Sequence, residues 1–95
     1  MTSDARTKQL SQLAGVLSGR AASLAVTVID PSLKQQVHRA VLDVEDALRW
    51  LDVFSADNRP QLLEIAQLSL TLAEWRVAWI EEVVAAFGSD VMNRE

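Results

Sequence analysis

The stretch PSLKQQVHRAVLDVEDALRWLDVF, residues 31–54, decides the fold. In it Leu33, Val37, Ala40, Val44, Ala47, Leu51 and Phe54 recur at alternating spacings of four and three. A helix turns about 100° per residue, so these positions share one stripe, whereas a strand would need a two-residue alternation. Leu48 and Val41 widen the stripe into the broader face of a bundle helix. The far side carries Lys34, Gln35, Arg39, Glu45, Asp46, Arg49 and Asp52, with Glu45 and Arg49 in the favourable i,i+4 order. Leu42, Trp50 and Val53 interrupt that polar side. Three apolar residues there, one of them a tryptophan, predict a second contact surface.

Stop and start signals flank this segment. Asp30 precedes Pro31, an N-cap followed by proline at the first helical position. At the other end Ser55, Asp57 and Asn58 lead to Pro60, which is tolerated in the first turn of a further helix. Gly88 after Phe87 is a natural C-terminal stop, and SDVMNRE, 89–95, reads as a frayed tail. Helices are thus expected at about 4–27, 31–54 and 60–87, all within one domain spanning 1–95. The β-branched run Val26-Thr27-Val28-Ile29 leaves the end of the first helix open to an extended conformation. Matched lengths and short connections predict an all-α, antiparallel three-helix bundle with coiled-coil-like seams. Composition agrees: three glycines and two prolines are too few for the turns of a β-sandwich. Apolar residues make up 49% and aromatics only 5%, so the core is aliphatic.

The first helix has its own seam of Leu10, Ala14, Leu17, Ala21, Leu24 and Val28. On a neighbouring face Ser11, Gly15, Gly19 and Ser23 recur every four residues, joined by Ser18 and Ala22. Each interior glycine costs ~1 kcal/mol relative to alanine, so a compensating close contact is expected. Packing or helix breaking within the chain is one account of this ridge, and a partner interface at Gly15 and Gly19 is the other.

The third helix, which includes LSLTLAEWRVAWIEEVVAAFG at 68–88, is apolar over most of its circumference. Gln67, Thr71, Glu74, Glu81 and Glu82 form a narrow polar strip facing solvent, diluted by Ala78 and Ala85. Ile65, Leu68, Leu72, Trp75, Trp79 and Val83 lie on one side of it. Ala66, Leu70, Ala73, Val77, Ile80, Val84 and Phe87 lie on the other. That arc is wider than one core-facing stripe requires, so neighbours are expected on both flanks, with the tryptophans anchoring one of them in the core. The surplus apolar surface predicts a homodimer. Arg76 falls near the centre of the apolar arc, with Ser69 at almost the same angle. A buried guanidinium needs a carboxylate. Arg76 therefore reads either as half of an internal ion pair or as the anchor for an anionic group.

Catalytic constellations are missing from the sequence. There is no cysteine, and His38 is the only histidine, on the polar side of the second helix. Neither a Ser-His-Asp site nor HExxH metal ligation follows from it, and a phosphotransfer histidine's usual Lys-Gly neighbours are replaced by Val41-Leu42. No Glu-x-x-His occurs, and within Asp43/Glu45/Asp46 and Glu81/Glu82 only Asp43 and Asp46 share a face. No glycine-rich phosphate loop is present. No metal and no cofactor is expected.

Net charge is −4, running from +1 over 1–30 through −1 over 31–59 to −4 over 60–95. The sign and the dispersed basic residues argue against nucleic-acid binding. The beginning, MTSDARTKQL, is polar and unlike a signal peptide, and no run approaches the ~18 apolar residues of a membrane span, so a cytoplasmic, non-membrane protein is expected. The leading expectation is a non-enzymatic protein–protein interaction module, acidic and homodimeric, acting as an adaptor, assembly chaperone, inhibitor or regulator. Its partner-binding residues are expected among Trp50, Trp75, Arg76, Trp79, Leu42, Gly15 and Gly19. The alternative is a small all-α enzyme with an anion site at a dimer interface, built from Arg76 with Arg20 or Arg6.

Overall fold

The computed structural model describes the backbone of residues 2–88 and the side chains of residues 5–88. Three helices account for nearly all of it: α1 (Thr2–Thr27), α2 (Pro31–Asp57) and α3 (Pro60–Phe87). The expected frayed tail at 89–95 lies outside the described residues. Asp30 caps α2 as its sequence position requires, accepting a hydrogen bond from the Leu33 backbone N–H at 3.1 Å. Gly88, at φ +47°, ends α3, its N–H bonding the Val84 carbonyl.

The seams of α1 and α2 are buried at every position, from Leu10 to Val28 and from Leu33 to Phe54. The third wall is Leu62, Leu63, Ala66, Leu70, Ala73, Val77 and Ile80 of α3. The core divides lengthwise into two halves. One joins Leu10, Ala14 and Leu17 to Val44–Phe54 of α2 and to Leu62–Ala73 of α3. The other joins Ala21, Leu24 and Val28 to Leu33, Val37 and Ala40, and to Val77 and Ile80. Early α1 therefore meets late α2 and early α3, so α1 and α3 run in one direction and α2 in the other. Alanines in every wall let the helices approach closely. The bundle measures 47 × 19 × 18 Å, one long helix in length and two helix diameters across. No polar or charged residue is buried among the described residues.

Local details depart from the sequence expectation in α2. α2 continues through Ser55 and Asp57 to a left-handed Asn58 (φ 57°), whose N–H reaches the Phe54 carbonyl at 2.7 Å. The polar cluster read as an approach to the third helix thus ends the second one, since asparagine tolerates the left-handed region. Arg49 pairs with Asp46 at 3.5 Å rather than with Glu45. Leu48 is exposed, while Val41 is half-buried against the core. The β-branched end of α1 stays helical to Thr27, whose hydroxyl bonds the Ser23 carbonyl at 3.0 Å, and Val28 is buried.

Candidate functional site

The residues of interest are best placed by the polar contacts that clamp α3 to its neighbours. Arg20 on α1 donates through Nε to Glu81 Oε2 at 3.0 Å and through a second nitrogen to Oε1. Arg6 on α1 donates to Gln67 Oε1. Both pairs span 61 residues, the signature of parallel helices in fixed register. The bidentate contact with Arg20 holds the Glu81 carboxyl below its ordinary range, and Glu81 in turn raises the guanidinium. More than a third of each side chain stays exposed (35% and 40%), so the pair is worth less than ~1 kcal/mol. The polar strip of α3, expected to face solvent, is in part the seam to α1. The expectation overlooked that arginines on the first helix need acceptors.

Arg76 finds its partners on α2. Its Nε donates to Asp43 Oδ2 at 3.2 Å and Nη1 to Gln36 Oε1 at 2.7 Å. The side chains of Arg76 and Asp43 are 28% and 23% exposed, making this the more sheltered pair. It is an internal structural ion pair on the α2–α3 margin. All three arginines considered for an anion site are thus engaged within the chain, at three separate places, and they do not converge.

With the two margins fixed, the remaining side of α3 faces outward. The core positions 63, 66, 70, 73 and 77 have an exposed apolar counterpart two residues later at Ile65, Leu68, Leu72, Trp75 and Trp79, and the counterpart of Ile80 is Glu82. A shift of two residues is about 200° on a helix. α3 therefore carries a second stripe, at the same alternating three-and-four spacing, diametrically opposite the first. Trp75 is 70% exposed and Trp79 46%. The expectation that these tryptophans anchor a core flank is overturned: the close packing of α3 against both neighbours uses the small and medium residues Ala66, Leu70, Ala73, Val77 and Ile80, leaving the bulky stripe outside. Beside it lies an open hollow of about 230 Å³ lined by Gln36, Trp75, Arg76 and Trp79.

The other expected partner residues lie elsewhere. Trp50 is half-buried and packs against the first half of the core. Leu42 is exposed, eight residues before Trp50 and so ~80° round α2. Gly15 and Gly19 are exposed on α1, and a Cβ added to either would meet nothing within 4 Å. Close packing within the chain therefore does not explain these glycines, nor does helix breaking, because α1 is continuous across them. Val16 and Val26 are exposed on the same helix. A second open hollow of about 230 Å³ lies between Ala25 of α1 and Lys34, Val37, His38 and Val41 of α2.

Among the described residues no group of three or more His, Asp or Glu side chains is placed to hold a metal ion. Among the described residues no helix is long and apolar enough to cross a membrane. Compared with known protein families, with curated proteins and with solved structures, the chain has no match.

Proposed function

We propose that this chain is a protein–protein interaction module whose working surface is the outer stripe of α3. The observation that carries this reading is the second stripe itself. Five large apolar side chains, two of them tryptophans, lie in heptad spacing over about four turns and face solvent. Scattered exposed leucines are ordinary, but contiguous apolar patches larger than a few hundred Å² are rare on monomers and mark interaction sites. Tryptophan is also the residue type most enriched where binding energy concentrates. A helix presenting such a stripe suits a groove-and-helix mode of recognition, in which a partner helix lies alongside it.

The homodimer belongs to this reading, and the face we assign to it is that of α1. Gly15 and Gly19 bring the α1 backbone to the surface, with Ala22 and Val26 continuing the same line. Two copies set α1 against α1 could approach closely there, which would offset the ~1 kcal/mol that each glycine costs. The enzyme alternative draws less support, because Arg6, Arg20 and Arg76 each have an acceptor within the chain. Adaptor, assembly-chaperone, inhibitory and regulatory roles in the cytoplasm are all served by this surface.

Partner capture from the native source tests the reading, comparing the parent chain with Trp75→Gln and with Gly15→Leu. A partner lost with Trp75→Gln and kept with Gly15→Leu supports the α3 surface. Equal capture by all three refutes it. Sedimentation of the same proteins at micromolar concentration tests the dimer, and a clean monomer for the parent removes it.

A further inference from the structure

The charges around the outer stripe of α3 narrow the kind of partner, on the premise that this stripe is the working surface. Glu64 and Glu82 are eighteen residues apart (82 − 64), five whole turns, so they lie on one line parallel to the helix axis and ~27 Å apart. That line runs along the edge of the stripe nearer α1. Both carboxylates are exposed, and neither is paired among the described residues. Glu74 lies further round on the same side, within electrostatic reach of Arg20. The opposite edge adds no free cation from α3, because Arg76 is bound to Asp43 and Gln36.

We infer that the outer stripe of α3 receives a basic amphipathic helix: aliphatic side chains at three- and four-residue spacing against Leu68, Leu72, Trp75 and Trp79, and Lys or Arg along the edge that meets Glu64 and Glu82. Charge complementarity favours this occupant over a second copy of the chain. A copy packed antiparallel about Leu72, the midpoint of the stripe, brings Glu64 of each within two residues, ~3 Å along the axis, of the level of Glu82 of the other. Like charges set close across an interface oppose association, whereas opposite charges steer it and fix its register. The hollow beside Trp75 and Trp79 takes one aliphatic side chain of the incoming helix.

The test is a titration of the full chain, followed by tryptophan emission, with two synthetic helices about five turns long. They share one leucine stripe, and their flanking residues are Lys in one and Glu in the other. The Lys helix should bind with a blue shift, at least ~10-fold tighter than the Glu helix, and should weaken as salt screens the edge. The E64Q/E82Q variant should keep the parent's unfolding midpoint yet bind the Lys helix about 2–30-fold more weakly, the scale of two exposed charge pairs. Equal binding of both helices overturns the charge assignment while leaving the stripe as an apolar docking surface. Binding of neither, with the parent sedimenting as a dimer and Trp75 and Trp79 shielded from acrylamide, makes the second copy the occupant and overturns the proposal. Binding of neither by a monomer, or by a dimer whose Trp75 and Trp79 stay open to acrylamide, overturns the proposal together with the surface on which it rests.

Discussion

Replacing Arg76 with methionine should cost the bundle about 1–2 kcal/mol. Methionine keeps the apolar stem that lies along α3 and removes only the guanidinium. Asp43, 23% exposed, then loses the donor at 3.2 Å, and Gln36 loses one at 2.7 Å. A hydrogen bond to a charged group is worth about 1.5–3 kcal/mol when sheltered, and an exposed ion pair about 0.2–1 kcal/mol. With roughly a quarter of each side chain still in water, the value falls between those limits. For a domain of this size the loss corresponds to a drop of about 4–16 °C in Tm. Asp43→Asn should cost less, because Arg76 keeps Gln36 and can turn its head toward solvent. The assay is a double-mutant cycle of R76M, D43N and the pair, by urea unfolding at pH 7. Coupling of about 0.5–1.5 kcal/mol is expected. Additivity within ~0.3 kcal/mol would refute the ion pair.

Further outcomes follow from the same geometry. Gly15→Ala and Gly19→Ala should each stabilise the isolated chain by up to ~1 kcal/mol in thermal unfolding at low concentration, since the added methyl meets open space. If α1 faces pair, the same changes should weaken the dimer in sedimentation. The Glu81 contact gives a pH signature. A carboxyl held below its ordinary range stabilises the fold above the unfolded value of about 4.3. That contribution is lost as pH falls through the depressed value. The parent's advantage over Glu81→Gln, under ~1 kcal/mol at pH 7, should therefore shrink at acid pH in parallel urea titrations. Leu70→Ala, at a position with no exposure, should cost about 2–5 kcal/mol by the same assay, enough to unfold much of a domain this small.

How far the sequence could be read differs from helix to helix, for a physical reason. In α1 and α2 a narrow apolar stripe stands against a polar background, so period alone selects the buried face from Leu10 to Val28 and from Leu33 to Phe54. α3 is apolar on two opposite faces, and periodicity cannot say which one is inside. Hydrophobic bulk pointed to Trp75 and Trp79, whereas close helix approach selected Ala66, Leu70 and Ala73. A usable signal did exist in the polar residues. Arg6 and Arg20 are separated by two heptads (20 − 6 = 14), as are Gln67 and Glu81 (81 − 67 = 14). Matching the two spacings would have placed Gln67 and Glu81 on the seam to α1 and turned the tryptophans outward. The partner of Arg76 was beyond such matching, because Asp43 and Gln36 become neighbours only through the antiparallel register of α2. Gly15 and Gly19 stood out in the sequence, but only the assembled bundle establishes that none of the described residues fills the space above them.

The central claim is that α3 keeps one stripe for the fold and the opposite stripe for a partner. Urea unfolding of the L68Q/W75Q variant, at a concentration low enough to hold the chain monomeric, tests it most directly. Leu68 and Trp75 are 63% and 70% exposed, so the variant should unfold within ~0.5 kcal/mol of the parent. A loss of about 2 kcal/mol or more, the scale of a core deletion, would place these side chains in the fold and contradict the account.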